Sequence, residues 1–350
     1  MCTVAEGFST LTGTKEVLDE VEHQWTSLDS VRFNPAWPYH NKPKLTLRVA
    51  TLERLHRSLG HPHAPRVALI RHENGSPPGV GNQLQAELLL RGLPVICEAG
   101  YHFALGGGST ASAEAPTVWI DPQMVAAATT GELPAPATGN RVALLDTGDI
   151  GGNKPTMVDL TGGQLIPDAD ADDLNGHGTA IASLIRAIAP KADVWPVRVV
   201  DADLATSYQL LCGLAYALWS EQFDIVNVSL SAHTPGGCAT MLGTSLEMIL
   251  RLCRQNGVRL PAMVAAAGNT LTGQSFGYPA KLPGALVVQA WDWSGNPSGY
   301  NVSVPDTASS VYASGGEPGQ PFGHITTHDQ AQHDIFGTSF AAAVVTASLL

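Results

Sequence analysis

Asp146, His177 and Ser339 each stand where an apolar run meets a short glycine-bearing segment, and together they carry the groups that acyl transfer needs. Asp146 follows Val142-Ala-Leu-Leu145 and opens Asp146-Thr-Gly148. His177 lies in Asn175-Gly-His-Gly-Thr179, and Ser339 in Gly337-Thr-Ser-Phe-Ala-Ala342. A serine hydroxyl is a weak nucleophile until a histidine takes its proton. The histidine is kept in one tautomer by a carboxylate on its other ring nitrogen. A helix that begins at the serine points N–H groups at a developing oxyanion. Glycine beside the histidine and before the serine lets backbone and substrate come close. A fourth element is Met263-Val-Ala-Ala-Ala-Gly-Asn269. The side-chain amide of Asn269, at the end of that small-residue strand, can donate to a tetrahedral intermediate, a contribution of about 3 kcal/mol.

These four positions work together only if one scaffold brings them to one place. Strand signals at Arg141–Leu145, Val194–Val200, Asp224–Leu230, Ala262–Ala266 and Ala285–Gln289 alternate with helix signals at His177–Ile188, Leu204–Glu221 and Thr240–Gln255. The strand runs are short and rich in Val, Ile, Leu and Ala, as strands buried on both faces are. This predicts a parallel sheet covered by helices, with sites at the carboxyl ends of its strands. Upstream the pattern differs. Residues 1–64 read as a mixed, polar N-terminal extension with short helices at Lys15–Trp25 and Leu52–Leu59. Residues 65–121 read as a small α/β unit: strand Arg66–Ile70, helix Asn82–Leu90, and strands Leu93–Cys97 and Thr117–Ile120. Residues 130–140, rich in Pro, Gly, Ala and Thr, read as a linker, exposed enough for cleavage within about 121–139. The predicted division is 1–64, 65–138 and 139–350.

Composition narrows the function classes. The net charge of −12 lacks the clustered basic residues that hold a phosphate backbone, so nucleic acid is not an expected partner. No apolar run is long enough to span a bilayer, so no membrane partner is expected. Met1–Gly7 has neither a basic nor an apolar targeting region, and the five cysteines form no Cys-x-x-Cys pair. A cytoplasmic location with buried free thiols is the expectation.

The blocks Asp146-Thr-Gly148, His177-Gly-Thr179, Ala267-Gly-Asn269 and Gly337-Thr-Ser-Phe-Ala341 resemble the signature blocks of the subtilases, in the family's Asp–His–Asn–Ser order and at similar intervals of 31, 92 and 70 residues. Asp224–Leu230 resembles the family's substrate-binding strand. Tyr278-Pro-Ala280 and Ala285–Ala290 resemble the segment after the oxyanion asparagine. The resemblance covers about residues 140–350. It implies a three-layer subtilisin-like α/β fold with a mainly parallel sheet covered by helices, beside the small N-terminal α/β unit. It also implies a serine endopeptidase in which Asp146 orients, His177 is base and then acid, Ser339 is the nucleophile and Asn269 donates to the oxyanion. Ser229, Leu230 and Ser231 would pair with an extended substrate, and Ala265, Ala266, Ala267 and Gly268 would line the S1 pocket. Protein or peptide is the implied substrate, and no cofactor is required. Three features depart from the pattern: Ala343 stands where proline is usual, Ser231 where glycine is usual, and only 11 residues follow Ser339.

The remaining motifs read as structural. Subtilases often bind calcium, but an EF-hand loop starting at Asp168 would need glycine at its sixth position, where Asp173 stands, so Pro167–Asp173 reads as a solvated acidic loop. The histidines His56, His61, His63 and His324, His328, His333 lack zinc-ligand spacing and read as surface residues. Gly79-Val-Gly81 lacks the third glycine of a dinucleotide fingerprint. The 65–121 unit resembles the inhibitory propeptide that precedes subtilase domains, which makes residues 1–138 the candidate contact for a regulatory partner. The competing class is a catalytically inactive peptide-binding or scaffold protein on the same fold. An esterase is less well served, because the Gly-x-Ser-x-Gly elbow is absent around Ser339.

Overall fold

A computed structural model describes residues 2–28, 45–49, 57–72, 80–104, 115–152, 156–159, 166–169, 172–201, 204–231, 239–270, 276–327 and 330–350. The N-terminal unit runs β1 (Cys2–Thr14), α1 (Lys15–Leu28), β2 (Leu45–Val49), β3 (Pro65–His72), α2 (Val80–Leu90) and β4 (Ile96–Ala104). Its strands pair antiparallel in the order β4-β1-β3-β2. Alternation along β3 explains how this sheet is covered on both faces. Ala68 and Ile70 pack with Leu18 and Val21 of α1 and Leu84 and Leu88 of α2, while Val67 and Leu69 join the core of the following part of the chain.

That arrangement corrects the division drawn from sequence. The boundary at residue 64 falls inside one sheet, because β1 lies between β3 and β4 and supplies hydrogen bonds to both. The helix expected over Leu52–Leu59 lies partly outside the described residues, and Arg57–Gly60 forms a single 3-10 turn. The unit closes at β4. The next strand, β5 (Thr117–Ile120), belongs to a different, three-stranded sheet.

After β5 comes α3 (Pro122–Ala127), capped by Asp121, whose Oδ1 accepts from Gln123 N at 2.8 Å. Residues 130–140 are not a loose linker. Gly131 N donates to Tyr312 O at 2.8 Å, Ala137 N to Leu349 O at 2.7 Å, and Leu133 and Ala137 pack on the core. The segment is therefore a strap docked on the later part of the chain, and the expectation of loose, cleavable backbone at 121–139 loses its physical basis.

The central sheet is built from β6 (Arg141–Asp146), β7 (Thr156–Asp159), β8 (Ile166–Ala169) and, after α4 (His177–Ile188), β9 (Asp193–Arg198). A short hairpin, β10 (Val200–Asp201) and β11 (Leu204–Thr206), leads into α5 (Ser207–Trp219). Then follow β12 (Ile225–Val228), α6 (Ala239–Gln255), β13 (Ala262–Ala266), β14 (Ala285–Trp291) and β15 (Ser310–Ser314). The antiparallel pair β16 (Gly323–Thr326) and β17 (Gln332–Asp334) joins β5, and α7 (Thr338–Ser348) follows. Strand order in the central sheet is β15-β14-β13-β12-β6-β9-β7-β8, parallel throughout except for β8.

Successive residues of the inner strands feed opposite cores. Ala143, Leu145, Val226 and Met263 face α5 and α6, whereas Val142, Leu144, Ile225 and Val264 face α4 and α7. This is why the strands read as unbroken apolar runs. Residues 204–206, expected to begin a helix, instead pair antiparallel with β4, and the helix starts at Ser207, closed by the capping box of Thr206 and Gln209. The six-stranded sheet β10-β11-β4-β1-β3-β2 is thus shared between the two parts of the chain.

Candidate active site

Asp146 is the last residue of β6 and is fully buried. Its Oδ1 accepts from Thr147 N at 2.8 Å, from Thr147 Oγ1 at 3.3 Å and from His177 Nδ1 at 2.8 Å. His177 is the first residue of α4, and its ring is edge-on to Phe340 of α7 at 5.5 Å. The two segments interlock: Gly178 N donates to Thr147 Oγ1 at 2.8 Å, and a Cβ on Gly178 would lie 2.2 Å from Gly148 O. Glycine is required there because nothing larger allows the contact that seats His177 on Asp146.

With Nδ1 held by the carboxylate, Nε2 is the ring nitrogen left to act as base. Burial disfavours the charged imidazolium, but the charge and hydrogen bond of Asp146, with the charge of Asp173, outweigh it. The pKa of His177 therefore lies above the ordinary histidine value.

Ser339 sits in the first turn of α7, 9 % exposed. Its hydroxyl donates to Ser229 O at 2.9 Å, and Ser229 Oγ lies 3.0 Å from Ser339 O and 2.9 Å from Asn227 Oδ1. Asn227 Nδ2 donates in turn to Thr346 Oγ1 at 2.8 Å. This buried chain ties the carboxyl end of β12 to α7. Ala343, where the family usually has proline, lies within an α7 that runs without a break from Thr338 to Ser348.

Asn269 follows β13 by three residues. Its Oδ1 accepts from Thr338 N at 3.0 Å and Thr338 Oγ1 at 3.2 Å, and Thr338 Oγ1 accepts from Gly268 N at 3.1 Å. Anchoring the amide oxygen fixes the plane of the amide and hence the direction of its N–H donors. The anchor needs Gly337, which has φ +129 and whose Cβ would lie 3.1 Å from Asn269 Nδ2.

The structure brings Asp146, His177, Ser339 and Asn269 to one end of the central sheet, together with Ser229. It treats the expected S1 lining differently. Ala265, Ala266 and Ala267 are at most 1 % exposed and packed in the core, because β13 is an interior strand buried on both faces. Of that set Gly268 touches the site, through Thr338. Leu230 is buried, and Ser231 is half-buried with an Oγ that has no hydrogen-bond partner among the described residues.

Several positions escaped the sequence reading. Thr147, Thr338, Asn227 and Thr346 supply the side-chain bonds just described. Asp173 is not in a solvated loop; it is fully buried. The residue directly before α4 is Gly176, so no capping pattern in the sequence pointed to Asp173. Among the described residues no group of three or more His, Cys, Asp or Glu could hold a metal ion, and no helix is long and apolar enough to cross a membrane.

Comparison with known proteins agrees with this architecture. The model of the Subtilase family matches residues 138–350, and the chain belongs to that family. It is 31 % identical over 184 residues to the thermostable alkaline protease of Halalkalibacterium halodurans, covering 49 % of this chain and 47 % of that protein. It is 29 % identical over 216 residues to alkaline elastase YaB of a Bacillus species, covering 58 % and 53 %. The chain thus spans about half the length of the curated relatives it matches. Among solved structures, the epidermin leader peptide processing serine protease of Staphylococcus aureus superposes with a TM-score of 0.58 at 14 % identity, covering 98 % of this chain and 88 % of that one. That likeness is one of fold, and its extent takes in the N-terminal unit.

Proposed function

We propose that this chain is a serine endopeptidase that hydrolyses extended peptides through an acyl-enzyme. The observation that carries the reading is the 2.8 Å bond from His177 Nδ1 to the buried carboxylate of Asp146, at the same sheet end as Ser339. His177 Nε2 takes the Ser339 proton as Oγ attacks the scissile carbonyl, then gives it to the leaving amine. Water repeats the sequence on the acyl-enzyme. Asn269 and the Ser339 N–H stabilise the oxyanion. The substrate backbone adds as a strand at Ser229–Ser231. None of these steps calls on a metal or a cofactor.

The test is labelling with a fluorophosphonate probe, with casein hydrolysis in parallel. Wild type should be labelled at Ser339 and hydrolyse casein, and Ser339→Ala should do neither. Undiminished proteolysis in a clean Ser339→Ala preparation would overturn the assignment. One observation favours the second reading, an inactive peptide-binding protein. The Ser339 hydroxyl donates to Ser229 and not to His177. Catalytic hydrogen bonds often form only in the substrate complex, so the bond also fits a resting enzyme. Peptide binding without labelling would decide for the inactive reading.

The N-terminal unit belongs to the proposal as a regulator. It is held by the β4–β11 pairing and by packing of its sheet on α5 and α6. A protease in the cytoplasm, the location proposed from the sequence, would need such restraint; cell fractionation tests that location.

A further inference from the structure

We propose that Asp173 is a positioning residue for His177, clamping the first turn of α4 while setting a second carboxylate charge beside the imidazole. Its Oδ1 accepts from Gly176 N at 2.7 Å and Asn175 N at 3.2 Å, and its Oδ2 from Thr179 N at 2.8 Å and Thr179 Oγ1 at 2.6 Å. The four bonds bracket His177 on both sides in sequence, so the backbone that carries the ring cannot rotate without breaking one of them. An N-cap needs only one side-chain oxygen and a single N–H. Here both oxygens are used, and the carboxylate is fully buried.

The charge has a second consequence. Among the described residues Asp173 has no cation partner, whereas its neighbours do: Asp172 pairs with Arg198 at 3.1 Å, and Asp149 with Arg186. Its negative charge is met there by N–H and O–H dipoles, and it stays available to stabilise a positive ring nearby. Among the described residues, the groups placed around His177 are Asp146 from β6, Phe340 from α7, Asn175, whose Oδ1 accepts from His177 N at 3.2 Å, Asp173 through its charge, and, at the adjoining Gly176, Pro116 and Ile325. The titrating side chains in that set are Asp146 and Asp173, and both favour imidazolium. In the proposed mechanism the ring becomes imidazolium as Ser339 attacks, so Asp173 helps to hold the charge that Asp146 alone is usually asked to hold.

The proposal rests on His177 being the base, and its first readout needs no turnover. In full-length protein carrying Ser339→Ala, NMR of labelled histidine gives the titration of His177, assigned by its loss in His177→Gln. Asp173→Asn should lower that pKa by about one unit. In the active chain the acidic limb of kcat/KM against pH should move down equally, and kcat should fall about ten- to a hundredfold with KM unchanged. Thr179→Val, which removes one clamp bond but no charge, should lower kcat and leave the titration in place. If Asp173→Asn does not fold, Asp173→Ser keeps a capping oxygen without charge and should show the same fall in pKa. A His177 titration unmoved in a folded uncharged variant overturns the proposal. So does a Thr179→Val enzyme with wild-type kcat. A chain that titrates as expected yet hydrolyses nothing would refute the endopeptidase reading and leave the placement of Asp173 standing.

Discussion

Ser339 and Ser229 bond to each other twice: the Ser339 hydroxyl reaches the carbonyl of Ser229 at 2.9 Å, and the Ser229 hydroxyl lies 3.0 Å from the carbonyl of Ser339. The proposed nucleophile and substrate strand are therefore set by the same pair, with Asn227 and Thr346 behind it.

Ser229→Ala removes only the second of these bonds and leaves the accepting carbonyl. It should lower stability by about 1 kcal/mol, read as a drop in Tm of a few degrees. Fluorophosphonate labelling of Ser339 should persist. Loss of labelling in a folded Ser229→Ala protein would show that the hydroxyl, not the carbonyl, governs the nucleophile.

Asn269→Ala should reduce kcat by about two to three orders of magnitude with little change in KM, since in the proposed mechanism the amide acts on the transition state. Thr338→Val keeps the shape but loses the hydroxyl between Gly268 N and Asn269 Oδ1. It should cost about 1 kcal/mol of transition-state stabilisation, roughly fivefold in kcat. Steady-state kinetics on one peptide substrate separate these effects, and a loss confined to KM would place Asn269 in ground-state binding.

Glu98 gives the seam between the two parts a pH dependence. It lies on β4, 1 % exposed, accepting from Thr10 Oγ1 at 3.3 Å and facing Ser245 of α6. Burial pushes its pKa up to about 7, against smaller lowering effects from Ser245 and Thr10. The folded state thus holds a proton that the unfolded chain releases near pH 4.5. The contribution is full below that value and is lost as pH rises through about 7, a change of up to about 3 kcal/mol. Urea unfolding at pH 5 and pH 8 should show wild type weaker at pH 8, and Glu98→Gln should remove most of the difference. An equal difference in Glu98→Gln would assign the effect elsewhere.

Cys97, Cys212 and Cys253 are buried free thiols whose pKa values burial raises, to about 12 for Cys212 and Cys253. Iodoacetamide at pH 8 should leave all three unmodified until the protein is unfolded, since the thiolate is the reactive form. Mass spectrometry with and without denaturant checks this. Rapid modification of any of the three in native protein would show that its burial is relieved by local opening.

The proposed reacting groups stood out because acyl transfer demands particular residue types, and each sits in a short block whose glycines are local requirements. The inner strands and α4 were legible for a related reason: β13 and α4 have the bounds expected, Ala262–Ala266 and His177–Ile188, since burial on both faces leaves an unbroken apolar run. What was lost depends on distant partners. Residues 2–14 look like a polar tail until β3 and β4 supply the other half of their hydrogen bonds. Leu204–Thr206 has a helical composition, but its partner lies a hundred residues upstream in β4. The strap at 130–140 has a linker's composition, yet Tyr312 and Leu349 hold it. Asp173 was misread because a run of aspartates looks solvated when its hydrogen-bond donors are backbone N–H groups, which carry no sequence signature.

The sheet shared by β4 and β11 separates two events that a covalent view would merge. A break in the chain between Ala104 and Pro116 would leave every strand of that sheet paired and the core between β3, α5 and α6 closed. Two polypeptides would then elute from a sizing column as one particle, with two bands appearing only in denaturing gels. Severing the connection and parting the halves would thus be distinct transitions, with the second governed by an interface rather than by a peptide bond.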